Sequence, residues 1–345
     1  MSKNKKVCIT IGNGFTIDFV NYFSSLDPSI WSKVDVSNLF SHGSDLKWPS
    51  NNHPGFLSKK YTPHLWELGA RPYMNKDETM HLIEKIVTSV NVYALKGTND
   101  ISKEQTYLSA YKELTAYLKY LFVYFNNKIE DIPDEIKDWA WAQFFLTLNE
   151  NPDIEEVIII TYNYDIWLER VLKKIGIGFE IPPMTRVEDC KFRLFKPHGS
   201  ISFKYKTDLP LSSFNINYQD FKSECSAIDI NVQYEDLCTN NPVIFLIPPA
   251  GDVNRTRDSW NSSIRQIYEP KLKEFGKNDI VIISGLSYWH VDRAELDNIL
   301  ISPSSNVDLI NINPSVDQYF ESVINSLFNN YVHFNSSNIL KELVL

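Results

Sequence analysis

"KVCITIGNGF", residues 6–15, is the stretch that decides the fold of this chain. Its segment Val7–Ile11 is almost entirely apolar and β-branched, which predicts a short buried strand. Gly12 and Gly14 follow and predict a tight turn, because glycine adopts backbone conformations that other residues avoid. The next residues, "FTIDFVNYF", have the apolar spacing of a helix. Strand, glycine turn and helix together form the opening unit of a nucleotide-binding α/β sheet.

The same order of strand, polar turn and helix returns in the second half of the chain. It appears in the three segments 155–176, 279–300 and 307–328. A further apolar run, "VIFLIPPA" at 243–250, predicts another strand. Continuous apolar strands that alternate with helices are typical of a parallel sheet with helices on both faces. We therefore predict an α/β fold with a doubly wound, mostly parallel, Rossmann-like sheet.

Residues 25–150 interrupt this pattern and predict a large helical insertion within a single domain of residues 1–345. The part from 25 to 76 is irregular, and the part from 78 to 149 is helical. Leu114, Leu118 and Leu121 belong to one apolar stripe with helical spacing. A stripe of this kind is more typical of a packed core than of a cofactor site.

Composition excludes several classes of protein. The 345 residues carry a net charge of −9, whereas a protein that binds the phosphate backbone of nucleic acid normally has a basic surface. No window approaches the about 18 apolar residues of a membrane span, and the first residues lack a signal peptide, so we expect a cytoplasmic protein. The four cysteines form no C-x-x-C pair, so we expect no metal site.

Polar clusters stand at the predicted carboxyl ends of four strands. They are Gly12-Asn13-Gly14, the segment 161–165, Gly285-Leu286-Ser287 and the segment 311–314. In an open parallel sheet, ligands bind outside the carboxyl ends of the strands. Each cluster alone is a weak signal, since residues such as Asn163 also cap helices. Together on one edge, they predict a nucleotide site.

A second unusual stretch is "FKPHGSISF", residues 195–203. Pro197 removes a backbone donor and Gly199 permits a tight turn, so the backbone restrains His198 between them. Apolar and polar residues then alternate as far as Tyr205, which predicts a strand. His198 is either a turn residue or a general base, and these residues alone leave both readings open.

The motifs in this order resemble those of the sirtuins. "TYNYD" and "KPHGS" resemble the sirtuin T-Q-N-x-D and x-x-H-G-S motifs, "GNGF" resembles G-A-G, "SGLS" resembles G-T-S, and "ININP" resembles the late ribose-contacting Asn. The likeness covers residues 5–20, 155–205 and 240–325. The chain lacks the four-cysteine zinc ribbon of the deacylases and the arginine that follows their first turn. It is therefore most similar to the zinc-free sirtuin-like NAD hydrolases of prokaryotic antiphage defence systems.

This resemblance implies a set of roles. Asn163 would hold the nicotinamide ribose and the attacking water, His198 would be the base, and Asp165 would brace the Asn163 loop. The remaining NAD-binding positions would be Gly12, Asn13, Gly14 and Phe15 at the pyrophosphate, Gly285 and Ser287 at a phosphate or ribose, Gly199 beside the base, and Asn313 at the adenosine ribose. NAD⁺ would be the substrate, with no metal. The family also implies a homo-oligomer and a companion such as a HerA-like ATPase or an Argonaute-type protein.

Two other functions remain open at this point. The chain could be a catalytically silent sensor or scaffold that binds NAD⁺ or ADP-ribose, in which case a base would be superfluous. A protein deacylase is disfavoured because the zinc ribbon is missing. His290 is a weaker candidate for the base, since it stands at the start of a predicted helix.

Overall fold

A seven-stranded sheet, in which every neighbouring pair of strands is parallel, forms the centre of the protein. A computed structural model describes residues 4–96, 104–207, 213–218, 225–238, 243–248, 260–287, 293–315 and 317–343. The strands of this sheet are β1 (Lys5–Ile11), β2 (Ile154–Thr161), β3 (Phe179–Glu180) and β4 (Phe192–Phe195), followed later in the chain by β7 (Ile280–Ser284), β8 (Asp308–Ile312) and β9 (Asn330–Phe334). A separate antiparallel pair consists of β5 (Phe203–Tyr205) and β6 (Ile230–Val232).

The strand order is β3-β4-β2-β1-β7-β8-β9. On one side of β1 the chain adds β2, then the edge strand β3, and then β4 between them. It returns to the middle at β7 and builds outward through β8 and β9 on the other side. Since parallel crossovers are right-handed, the two directions of winding place helices on opposite faces. The predicted doubly wound α/β fold is confirmed, and all of the pairings in this sheet are parallel.

The central strands form because their side chains have no polar face. Val7, Ile9, Ile158 and Ile159 are completely buried. A parallel strand covered by helices on both sides needs apolar residues at consecutive positions, which these segments supply.

The helices of the described chain are α1 (Asn13–Leu26), α2 (Pro63–Glu67), α3 (Lys76–Lys96), α4 (Glu104–Lys128), α5 (Ala140–Glu150), α6 (Trp167–Lys174), α7 (Trp260–Leu272), α8 (Arg293–Ile301) and α9 (Gln318–Leu327). None of them, within the described residues, has the length and apolar content needed to cross a membrane. Helix α5 packs against β2 and α6, so the last part of segment 25–150 belongs to the layers that flank the sheet.

The rest of segment 25–150 packs around α3 and α4. The apolar stripe predicted on α4 is buried, with Leu114, Leu118 and Leu121 fully covered, which confirms its interpretation as core. The rings of Phe40 and Phe56 both lie edge-on to Tyr117, a buried residue of α4. The buried apolar residues of this segment and of the sheet form one continuous cluster.

Three details differ from the predicted strands. Residues 192–195 form β4, which the sequence pattern did not indicate, and β9 was not predicted either. The strand expected after His198 is β5, which pairs with β6 outside the main sheet. The expected strand at 243–250 is wrong for its described part, 243–248, which makes a single bridge between Leu246 and Gly199.

Candidate functional site

The pairing of the strands brings their carboxyl ends to one edge of the sheet. Ile11 lies opposite both Thr161 and Ser284, and Ser284 lies opposite Ile312. On β4, Phe195 lies opposite Ile160, one residue before the end of β2. The polar clusters that follow these strands therefore meet along one rim. The order of the strands reverses between β1 and β7, which is where open α/β sheets bind ligands.

Two adjoining cavities open at this rim. The smaller, of about 230 Å³, is lined by Asn163 and His198 together with Tyr162 and Asp165. The larger, of about 500 Å³, is lined by Asn313. The residues that line both cavities are Asn13, Lys76, Gly285, Leu286 and Ser287. Because they share these walls, the two cavities form one elongated cleft, and the larger falls within the usual size of small-molecule sites, roughly 300–1,000 Å³.

The glycines at this rim allow two turns to touch. The amide of Gly12 donates to the carbonyl of Ser284, and the amide of Gly14 donates to the carbonyl of Gly285. A Cβ on Gly14 would lie 2.3 Å from Cα of Gly285, so no side chain fits there. We expected these amides to point at a pyrophosphate. They instead bind the turn after β7, while Gly12, Asn13 and Gly14 still line the cleft.

Asn163 is held by the loop after β1. Its Nδ2 donates to the carbonyl of Gly12 and to Oγ1 of Thr16, each over 2.9 Å. The Thr16 hydroxyl in turn donates to Oδ2 of Asp165 over 2.7 Å. The other carboxylate oxygen of Asp165 accepts from the amide of Trp167 and so caps α6. Both N–H bonds of the Asn163 amide are thus used, and its Oδ1 remains as the acceptor of the side chain.

His198 is buried beside a carboxylate. Its Nε2 lies 2.5 Å from Oε2 of Glu295 on α8, and Oε1 of Glu295 lies 3.5 Å from the guanidinium of Arg265 on α7. Burial works to raise the pKa of the Glu295 carboxyl, but the neighbouring His198 and Arg265 outweigh it and hold that pKa below its ordinary value. The ring of Tyr162 packs edge-on against the imidazole at 4.7 Å between centroids.

The backbone around His198 requires glycine at the next position. Gly199 has a φ of +88°, and a Cβ there would lie 1.9 Å from the carbonyl oxygen of Phe245. The carbonyl of His198 accepts from the amide of Ile247, and the amide of Ser200 donates to Phe245. The segment 243–248 therefore clamps the His198 turn from one side.

The far end of the cleft is formed by the strand ends on the other side of β7. Asn313 is buried, and its Nδ2 donates to Oδ1 of Asn311 over 2.6 Å. Asp18 lines the larger cavity with Ser337. Burial raises the pKa of the Asp18 carboxyl, and the neighbouring polar groups of Ser337, Trp139 and Trp141 oppose that rise.

Several predicted positions have other surroundings in the structure. The side chain of Phe15 is buried in the core between Trp139 and Trp141, so only its backbone is near the cleft. Gly199 lines neither cavity and instead shapes the turn of His198. Asn163, Asp165 and His198 come together around the smaller cavity. His290 lies outside the described residues.

Sequence reasoning missed three residues of this site. Lys76 begins α3 and borders both cavities, and its only sequence signal is the capping box formed by Asn75 directly before it and Glu78 two residues after it. Glu295 is distant in sequence from His198, and nothing in its own helix marks it. Thr16 is a small polar residue on an apolar helix face, which is a weak signal of a buried hydrogen bond.

Within the described residues, no group of three or more His, Cys, Asp or Glu side chains could hold a metal ion. Compared with models of known protein families, the chain matches none, and a comparison with curated proteins gives no match either. The function of the cleft has to be inferred from its own residues.

Proposed function

We propose that this chain binds NAD⁺ in the elongated cleft and hydrolyses the bond between nicotinamide and ribose. The observation that carries the proposal is the arrangement of the two adjoining cavities. Asn163 and His198 line the smaller one, Asn313 lines the larger, and the two share a wall. An elongated ligand with chemically different ends fits such a cleft, and the resemblance of the motifs to sirtuin-like NAD hydrolases assigns the ends.

In this proposal the nicotinamide riboside occupies the smaller cavity and the adenosine occupies the larger. The pyrophosphate then lies at the shared wall, beside the ammonium group of Lys76 and the start of α1 at Asn13. A lysine and a helix N-terminus both favour a phosphate group. Within the described part of the chain, Lys76 forms no ion pair that would compete for the ligand.

The chemistry requires little beyond positioning and one base. Nicotinamide leaves as a neutral molecule when its bond to C1′ breaks, through an oxocarbenium-like transition state related to that of glycoside cleavage. A water oxygen then bonds to C1′, and its proton passes to His198. Oδ1 of Asn163 accepts from the water or a ribose hydroxyl. The products of this step are nicotinamide, ADP-ribose and one proton. The cyclised form results when a nitrogen of the adenine, in place of water, bonds to C1′.

A silent NAD⁺ or ADP-ribose sensor is the second candidate. The burial of His198 against Glu295 favours it, since a buried ion pair of this kind also serves stability alone. The two candidates differ in one measurable property, which is turnover.

The experiment is incubation of the purified chain with NAD⁺ and separation of the products by chromatography. We expect nicotinamide and ADP-ribose without any acetylated peptide. The variants His198→Ala and Asn163→Ala should each lose on the order of 10²–10⁴ in turnover, the usual contribution of a positioned catalytic group. Binding of NAD⁺ without products would favour the sensor. Cleavage by His198→Ala at the wild-type rate would reduce the histidine to a turn residue.

The resemblance extends the proposal to a biological role. The chain would destroy NAD⁺ during phage infection as a homo-oligomer, with a HerA-like ATPase or Argonaute-type companion. The helices of residues 78–149 would form the interface of this assembly. Most of their described apolar side chains are buried in the chain's own core, and those exposed on α3 and α4 include Val92 and Leu108. The mass in solution, alone and with its genomic neighbours, tests the assembly, and a strictly monomeric mass in both cases would contradict it.

A further inference from the structure

A buried ion pair lies beside the two loops that carry the proposed catalytic groups. Nζ of Lys196 lies 2.7 Å from Oε1 of Glu169, and each side chain is only 1% exposed. Lys196 follows β4 and precedes His198 by two residues, and Glu169 lies on α6, directly after the loop that contains Asn163. Neither side chain of the pair lines the cleft, so the pair can affect the site only through the chain around it.

The ammonium group of Lys196 also joins the two loops directly. Its Nζ donates to the backbone carbonyl of Asp165 over 2.5 Å. At the other end of the same turn, the amide of Ile201 donates to the carbonyl of Tyr164 over 2.9 Å. The turn that contains His198 is therefore bound at both of its ends to the loop after β2.

Stability alone is a poor reason for an ion pair in this place. Moving two charges out of water is costly, and apolar residues of similar volume are often as stable or more stable. Within the described part of the chain, Oε2 of Glu169 is buried without a hydrogen-bond partner. Burial raises the pKa of this carboxyl, and the charge of Lys196 only opposes the rise. What the pair provides beyond an apolar core is the bond from the ammonium group to the Asp165 carbonyl.

We infer that Lys196 is a positioning residue of the site and that Glu169 anchors its ammonium group, so that the pair fixes the His198 turn against the Asn163 loop. The two proposed catalytic groups follow different strands, and their separation depends on how these loops are held together. A displacement of about 1 Å can lower a rate by on the order of 10²-fold. The effect on turnover rests on the proposed function, whereas the link between the loops does not.

The first experiment removes both charges at once. The double variant Lys196→Met with Glu169→Leu fills the space with apolar side chains and leaves no unpaired charge inside. We expect its thermal unfolding midpoint to stay within about 5 °C of wild type. Its kcat should nevertheless fall about 10- to 100-fold while KM changes less than about threefold, because misplaced groups act mainly on the transition state. Lys271→Met is the matched control, since it removes a 2.7 Å ion pair with Glu156 near the start of β2, and it should keep the wild-type kcat.

A double variant with the stability and the kcat of wild type would overturn the inference, because the pair would then serve packing alone. Should the double variant not fold, Glu169→Gln takes its place, since glutamine keeps the size of the side chain and removes the anchoring charge. We expect its kcat to fall about 3- to 10-fold at an unchanged KM. A wild-type kcat in a folded Glu169→Gln would equally overturn the inference.

A second experiment does not depend on activity. Hydrogen–deuterium exchange, followed by mass spectrometry, compares the same folded variant with wild type. We expect the backbone amides of the loop after β2 and of the His198 turn, including that of Ile201, to exchange about tenfold faster or more, while peptides from β7 and β8 keep their rates. Wild-type exchange rates in both loops would overturn the inference. Should wild type fail to cleave NAD⁺ while the loops respond as expected, only the proposed function fails.

Discussion

Thr16 links the two loops that carry the candidate site. Its hydroxyl accepts from Asn163 and donates to Asp165, so one oxygen joins helix α1 to the end of β2. The Thr16 hydroxyl and the Asp165 carboxylate are buried, whereas Asn163 is half-buried at the cleft. Thr16 therefore determines where the Asn163 amide lies, although it does not line the cleft itself.

Replacing Thr16 with Val keeps the shape of the side chain and removes this hydrogen-bonding group. We expect a loss of about 1–3 kcal/mol in the free energy of unfolding, because the buried Asp165 carboxylate and the half-buried Asn163 amide each lose a partner. Turnover of NAD⁺ should fall up to about 10²-fold through displacement of Asn163. Urea unfolding and steady-state kinetics measure the two effects. Thr147→Val on the exposed side of α5 is the control and should change neither. Wild-type turnover in Thr16→Val would exclude a positioning role.

Lys119 is a buried cation in the core of the insertion. It lies on α4 near Lys204 and Cys238, and burial lowers the pKa of its ammonium group to about 8 from an ordinary 10.5. At pH 7 the folded chain must keep this group charged in a poorly solvated place. The unfolded chain binds more protons than the folded chain between about pH 8 and pH 10.5, so stability increases with pH across that window.

Lys119→Met tests this cost. We expect the variant to be more stable than wild type at pH 7 by on the order of 3 kcal/mol, since one unit of pKa corresponds to about 1.4 kcal/mol. The advantage should shrink as the pH rises toward 10.5, because the unfolded lysine then loses its proton too. Urea unfolding of both proteins at pH 7 and pH 10 gives the difference. A difference that stays constant with pH would show that Lys119 carries no such penalty.

At the scale of elements, the contact between the turns after β1 and β7 closes the middle of the sheet edge. Gly14 lies in the first turn of α1, where alanine would by itself favour the helix by about 0.5–1 kcal/mol. Its Cβ would nevertheless lie 2.3 Å from Cα of Gly285, which is backbone and cannot yield cheaply. The steric effect therefore outweighs the helix preference.

Gly14→Ala should lower the free energy of unfolding by about 1–3 kcal/mol, the usual cost of overpacking, and weaken NAD⁺ binding by spreading the two turns. Gly276→Ala is the matched control, since a Cβ at Gly276 would meet no atom within 4 Å. Thermal unfolding and calorimetric titration with NAD⁺ measure both quantities. Equal stability of the two variants would mean that the turns can separate at no cost.

The sequence predicted the long elements because their signal is local. An apolar run followed by a glycine or polar turn and a helix is sufficient to identify β1, β2, β7 and β8. Strand β4 has only four residues and begins after a polar loop, so no periodicity develops over its length. The strand predicted at 243–250 is wrong for its described part, because an apolar run also occurs in a buried segment that does not pair with a neighbour along its length. In this segment Leu246 makes one isolated bridge.

The candidate site was predicted in part for a related reason. Asn163, His198 and Asn313 follow strand ends, and the parallel topology places all strand ends at one edge. Glu295 reaches His198 only through the packing of α8 near the rim, a contact that depends on tertiary structure. The hydrogen-bond partners of the Gly12 and Gly14 amides were not predicted, because a sequence shows which turn is tight but not which neighbour receives its donors.

At the scale of the whole molecule, the cysteines give little support to a metal site. Two of its four free cysteines, Cys190 and Cys225, are partly buried, Cys8 is fully buried and Cys238 is exposed. Burial raises the pKa of the Cys8 thiol to about 12, which disfavours the thiolate that zinc requires.

We therefore expect a chelator such as EDTA to leave NAD⁺ cleavage unchanged, because a four-ligand zinc site needs thiolates or imidazoles within reach of one another. Elemental analysis of the purified protein should find far less than one zinc per chain. One tightly bound zinc per chain, or loss of activity in the chelator that added zinc restores, would contradict this.

The position of β1 in the sheet has a consequence for the order of folding. This strand is made before both of its partners, and the amide of Lys6 binds a carboxylate oxygen of Asp279, 273 residues further along the chain. Contacts this distant in sequence are slow to form. During synthesis β1 has to wait for β7 before its second side is paired, and the cleft, whose walls come from both sides of β1, cannot close earlier. A nascent chain would therefore acquire any capacity to consume NAD⁺ only after the strands on both sides of β1 have been made.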